Sequence, residues 1–167
     1  MTSLAGPDSE QLAVFTVPSE PGNERLALAR VADAVEGHGL SGTRLERLKT
    51  AVAEAAMNAI EHGNHNRAEI PVGIEVAKAG EDIVVTITDE GGEQAPQAPA
   101  EEPDLLEKLQ GGQSPRGWGL FLIRNMVDAM EVTSEGRHHI IRLSMRTGDV
   151  AAPTERQRHG GTGRNPQ

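Results

Sequence analysis

The sequence predicts an α+β fold: a two-layer sandwich of one mixed, mostly antiparallel sheet with helices on one face. Three observations point there. Apolar residues alternate in short runs near 12–17, 72–76, 83–87 and 141–145, the period of strands. They recur every three or four residues over 26–35, 45–59 and 120–130, the period of core-facing helices. The connections at 79–82 and 135–137 are short enough to join antiparallel strands.

In chain order, residues 1–9 are small and polar and predict a disordered N-terminus. Leu12, Val14 and Thr16 alternate with Ala13, Phe15 and Val17 in a first strand, broken by Pro18-Ser19-Glu20-Pro21-Gly22. A helix follows, with Leu26, Ala29, Val31, Ala34 and Val35 as its expected buried side, ended by Gly37 and Gly39. Ser41 to Thr43 can cap the next helix. There Leu45, Leu48, Val52, Ala56 and Ala59 form the apolar stripe, and Gly63-Asn64 a stop.

Val72, Ile74 and Val76 mark a second strand and Ile83 to Thr88 a third, paired as a hairpin across Ala79-Gly80-Glu81-Asp82. Residues 90–115 then carry four prolines, at 96, 99, 103 and 115. A loop this long inside a domain is functional or disordered. It has one short helical candidate, Asp104 to Leu109. Six acids against Lys108 leave 90–110 at a net −5, so a lid built from it must turn its acids to solvent. A helix then carries Leu120, Ile123, Met126, Val127 and Met130. A last hairpin, 131–134 with 138–145, turns at Glu135-Gly136-Arg137. Residues 147–167 have no apolar period and read as a disordered tail, leaving 10–146 as the domain.

The 167 residues suffice for one core, and with 2% aromatics that core must be Leu, Ile, Val and Ala. A net charge of −9 argues against a non-specific nucleic-acid binder, which needs a basic face. There is no cysteine, no signal-peptide pattern and no apolar run of membrane-spanning length, so a cytoplasmic protein with no membrane contact is expected.

Three stretches carry chemistry. Glu54 and Asn58 are four apart, so they stack on one helix face, beside the small residues Ala51 and Ala55. The amide oxygen of Asn58 suits Mg²⁺, and the Glu54 carboxylate can take a proton from water or a hydroxyl. The plain alternative is a solvated polar face. Asp89 is in phase with Ile83, Val85 and Ile87, so it points toward the core where the third strand ends. A buried acid there needs a partner. Gly91 and Gly92 let backbone approach a ligand closely. Gly117-Trp118-Gly119-Leu120 opens a helix whose free N–H groups make an anion site, with Arg116 just ahead.

These stretches, in this order, resemble the GHKL ATPase superfamily (the Bergerat fold), and most closely its anti-sigma-factor serine kinases, over about residues 10–146. The resemblance implies ATP and Mg²⁺ as cofactors and the same two-layer sandwich. Asp89 would accept from the adenine N6 amine, Asn58 would hold Mg²⁺, and Glu54 would be the general base. Gly91 and Gly92 would face base and ribose. Arg116 would meet the γ-phosphate or pin the lid, with Gly117, Gly119 and Leu120 at the phosphates. Trp118 packs either on the lid or on the sheet edge. His62, one turn beyond Asn58, either reaches the phosphate side or is a surface histidine at a helix end. Glu93 departs from the family, which has a glycine there.

Implied partners are a STAS-domain anti-anti-sigma substrate, a sigma factor and a second copy of the chain, with no direct nucleic-acid contact. The leading expectation is a serine kinase and anti-sigma factor. A second is a non-catalytic, nucleotide-gated binding module, which Glu93 favours. A third, the ATP-binding domain of a sensor histidine kinase, lacks room here for a phosphoacceptor helix pair.

Overall fold

The computed structural model describes residues 6–91 and 115–148. In order these form β1 (Ser9–Val17), α1 (Asn23–Val35), α2 (Gly42–Asn58), a π turn (Ala59–Gly63), β2 (Val72–Ala79), β3 (Asp82–Asp89), α3 (Pro115–Met126), β4 (Ala129–Glu135) and β5 (His138–Arg146). The strands make one sheet in the order β1-β2-β3-β5-β4. All four neighbouring pairs are antiparallel, so the sheet expected to be mixed and mostly antiparallel is antiparallel throughout its described part. The helical candidate at 104–109 and the tail from 149 lie outside the described residues.

Each hairpin closes on the glycine its turn requires. Gly80 (φ +60°) lets Ala79 pair with Asp82, and Gly136 (φ +61°) lets Glu135 pair with His138. In β1 the register shifts between Gln11 and Ala13. Beyond it Phe15 and Val17 face the helices, while Val14 stays 58% exposed on the open face.

The buried stripe of α1 is Ala27, Val31 and Val35. This corrects the expectation for Leu26 and Ala29, both of which face solvent. Leu26 is the more apolar residue, but the side chain four before Val31 is Ala27, and that phase faces the core.

The middle helix, α2, is covered on several sides. It packs on the sheet and has α1 and α3 as neighbours. Leu48, Ala51, Val52, Ala55 and Ala56 have no exposed surface. The small side chains of α2 therefore serve close helix packing. The expected stripe holds at Leu48, Val52, Ala56 and Ala59, while Leu45 is only partly buried.

Past β5 the chain is held for two more residues. Thr147 N–H and Oγ1 donate to the Glu81 carbonyl at 2.6 and 2.7 Å, and Gly148 N–H donates to the Gly39 carbonyl at 3.1 Å. Nearby, Asp128 accepts from Arg44 at 2.5 Å and from Arg146 N–H at 2.7 Å.

Candidate functional site

The α-helical hydrogen bonding of α2 stops at Asn58 and widens into the π turn. Asn64 N–H closes that turn on the Ala59 carbonyl, five residues back, at 2.8 Å. Gly63, expected as a helix stop, here ends a π turn and has a second reason to be glycine. A Cβ on it would fall within 2.6 Å of both carboxylate oxygens of Asp89. The turn and the end of β3 thus meet backbone to carboxyl.

Asp89 is buried, on the helix side of β3, as its phase with Ile83, Val85 and Ile87 predicted. Its Oδ1 accepts from Gly91 N–H at 2.8 Å, the bond of an Asx turn. Gly91 sits in the same knot: a Cβ there would lie 2.6 Å from Asp89 Oδ1, 2.8 Å from Gly63 Cα and 2.8 Å from His139 Nδ1. Gly92 lies outside the described residues, as does the glycine departure at Glu93.

His139 was not singled out from the sequence. It is cross-strand partner to Asp89, 2% exposed, with Nδ1 3.0 Å from Asp89 Oδ1. The separation suits a hydrogen bond but the direction does not, and neither ring nitrogen completes one among the described residues. The missed signal was available: His139 is in phase with Ile141, Leu143 and Met145, the inward side of β5.

The sequence marks Asn64 as part of a helix stop and the start of a loop. It is fully buried, and its amide ties three segments together. Nδ2 donates to Ser19 Oγ at 2.9 Å and to the Ile70 carbonyl at 3.2 Å, while Oδ1 accepts from Glu90 N–H at 2.9 Å. Ser19 Oγ in turn donates to the Ile70 carbonyl at 2.5 Å. The strand end carrying Asp89 is therefore pinned from both neighbouring loops. His65 (φ +53°) and Asn66 (φ +57°) follow in the left-handed region, conformations that cost energy for non-glycine residues.

The second half of the site lies one turn back. Asn58 is buried, and its Nδ2 has no hydrogen-bond partner among the described residues. Gly119 of α3 packs on it, for a Cβ there would lie 2.8 Å from Nδ2 and 3.2 Å from Oδ1. Which end of the amide carries oxygen is an assignment, so either orientation leaves a polar atom of this buried group in want of a ligand. Glu54, one turn earlier, is half-buried, and its carboxylate makes no hydrogen bond or ion pair among the described residues. His62 is half-buried on the π turn, with no side-chain partner among the described residues.

The glycine turn expected ahead of α3 is already helix. Pro115 opens it, where its missing N–H costs nothing, so Arg116, Gly117 and Trp118 lie in the first turn. Gly119 and Leu120 are buried one turn in. Gly119 thus meets Asn58 directly, a contact the sequence reading did not foresee. Among the described residues, a surface groove lies on the opposite face of the sheet, around Glu75, Thr86 and Arg142.

A nucleotide and a metal fit these residues. Asn58 offers an unsatisfied buried amide, and the Gly63–Gly91 notch at Asp89 is one that any Cβ would fill. Among the described residues no helix is long and apolar enough to cross a membrane.

The description of the histidine kinase-like ATPase domain family matches residues 17–145. The chain is 34% identical to an anti-sigma F factor of Oceanobacillus iheyensis, over 75% of this chain and 84% of that protein. It is 35% identical to the serine-protein kinase RsbW of the same organism, over 71% of this chain and 77% of that one. Two solved structures share the fold. The RsbU and RsbW domains of Rv1364c from Mycobacterium tuberculosis match with a TM-score of 0.58 and 16% identity, covering 81% of this chain. The present chain spans about a third (31%) of that structure's length. The SiaB–SiaC complex from Pseudomonas aeruginosa matches with a TM-score of 0.58 and 15% identity, covering 81% of this chain and 89% of the other. By this match over residues 17–145 and by these relatives, the chain belongs to the histidine kinase-like ATPase domain family, whose members use ATP.

Proposed function

We infer that this chain is an ATP-dependent serine protein kinase that also acts as an anti-sigma factor. The observation that carries it is the buried Asp89 at the end of β3, with Gly91 and Gly63 against its carboxyl, Gly63 being the end of the π turn into which the Glu54–Asn58 helix runs. Its substrate is a serine on a STAS-type anti-anti-sigma domain, and its second client is a sigma factor. Basic DNA-binding surfaces suit an acidic chain of net charge −9. The working unit is a homodimer.

Each residue has a role by its chemistry. Asp89 accepts a hydrogen bond from the adenine amine, and Gly91 and Gly63 admit the base edge. Asn58 would hold Mg²⁺ through its amide oxygen. When bound, Mg²⁺ would supply positive charge beside the phosphates. Glu54 takes the proton of the substrate serine hydroxyl as that oxygen bonds to the γ-phosphorus and the bond to ADP breaks. The first turn of α3, with Arg116, Gly117, Trp118 and Gly119, faces N–H groups toward the phosphates. His62 approaches from the π turn.

The experiment is phosphotransfer from ATP to a purified STAS-domain partner recovered from the native cell by nucleotide-dependent capture. Phosphoserine that disappears in Glu54→Ala supports the kinase. Capture without phosphate transfer favours the non-catalytic, nucleotide-gated module that Glu93 keeps open. Recovery of neither a STAS protein nor a sigma factor refutes the switch.

A further inference from the structure

We propose that His139 is a specificity-determining residue of the base site: by donating to Asp89 it keeps that carboxyl an acceptor and so excludes guanine. The inference rests on the reading of Asp89 as the base-recognising group.

The two purines differ at the atom Asp89 would meet. Adenine presents an amine donor there and guanine a carbonyl acceptor. An ionised carboxylate only accepts, so it takes adenine and repels guanine. A protonated carboxyl carries an O–H donor and can take guanine as well. Selectivity therefore depends on what keeps the acid ionised. A carboxyl group removed from water is driven toward its neutral form unless an N–H or a positive charge faces it.

Two of the groups that face Asp89 can supply this. One is Gly91 N–H, at 2.8 Å. The other is the His139 ring, with Nδ1 at 3.0 Å and both nitrogens shut from solvent without a hydrogen bond among the described residues. The contact lacks direction, not proximity. The torsion that orients an imidazole is broad, so a turn of the ring brings Nδ1–H onto the carboxylate.

Among the described residues, the charged side chains on the adjoining strands and the π turn lie outward or only half-buried. Glu90, just past the end of β3, is exposed and 3.6 Å from the exposed His138 of β5. On β4 the residue opposite His139 is Ser134, which carries no charge. The π turn brings Gly63 to the carboxyl, with Glu61 exposed and His62 half-buried on the same turn. Asp89 is thus the acid in contact with His139.

The test is calorimetric binding of Mg·ATP and Mg·GTP to the full chain at about pH 6 and about pH 8, with melting temperatures for each variant. The wild type should prefer ATP at both. In His139→Phe, which keeps the ring but loses both nitrogens, the ATP-over-GTP preference should fall about tenfold or more, with GTP gaining most at the lower pH. His139→Gln, which restores an N–H donor, should keep the preference. A purely structural His139 would lower the melting temperature of the Phe variant and leave the preference intact, which would overturn the proposal. Asp89→Asn separates the two readings. If it erases the preference while His139→Phe does not, only the role of His139 is lost. If Asp89→Asn also leaves the preference unchanged, the base-site reading falls and the proposal with it. Should His139→Phe not fold, ¹⁵N resonances of the wild-type imidazole decide: a proton on Nδ1 supports the proposal, and a bare Nδ1 facing Asp89 overturns it.

Discussion

The Cα of Gly63 lies against the carboxyl group of Asp89, so that a Cβ on Gly63 would sit 2.5 Å from Oδ2. One residue is the end of a π turn and the other the end of a strand, 26 positions later in the chain. Gly63→Ala should therefore push the turn and the strand apart. Overpacking of this kind costs about 1 to 3 kcal/mol. We expect a lower midpoint in urea unfolding together with weaker ATP binding. An alanine variant with wild-type values of both would mean that the two ends do not touch.

Glu54 carries no structural partner among the described residues, so its removal should leave the fold alone. Glu54→Ala should slow phosphotransfer by about 10²- to 10⁴-fold while ATP affinity stays close to wild type, because a base acts in the transition state. Single-turnover kinetics beside calorimetry would report the split. Normal turnover would place the base elsewhere.

Asn58 and Gly119 should fail in the same way for different reasons. Asn58→Ala removes the amide proposed to hold the metal, so Mg²⁺ should cease to strengthen nucleotide binding. Gly119→Ala leaves the amide but places a methyl group 2.8 Å from its Nδ2. Nucleotide titrations with and without Mg²⁺ would compare them. If Gly119→Ala retains the full Mg²⁺ effect, α3 does not set the position of Asn58.

Asn64→Ala breaks a buried network in which Ser19 and Glu90 both lose a partner. Unsatisfied buried groups cost about 1 to 3 kcal/mol. Chemical denaturation should show a loss of that size. A surface-like effect below about 0.5 kcal/mol would refute the pinning of the β3 end.

The phase of α1 gives a paired test. Leu26→Gln should change stability by less than about 0.5 kcal/mol, since Leu26 is 46% exposed. Ala27→Leu should cost about 1 to 3 kcal/mol, since Ala27 has no exposed surface. The opposite order would restore Leu26 to the core.

By itself the sequence determined the order of the elements, both hairpins, the α2 stripe and the inward aim of Asp89. These follow from local rules: a two-residue period places Asp89 beside Ile87, and Gly80 and Gly136 allow their turns. Local rules also suffice to place Glu54 and Asn58 one turn apart.

Only the tertiary structure decided the rest, because it depends on which segments meet. The alternation that placed Asp89 applies equally to His139, yet nothing local says that β5 lies beside β3 with those two residues opposite. Gly63 and Gly119 looked like a helix stop and a phosphate-loop glycine. Their nearest neighbours are Asp89 and Asn58, reached across the fold. Asn64 is an ordinary polar residue until Ser19, Ile70 and Glu90 are brought round its amide. Leu26 shows the converse limit: helical period gives a stripe, but the neighbours that cover it, α2 and the first two strands, select Ala27 and leave the larger side chain in water.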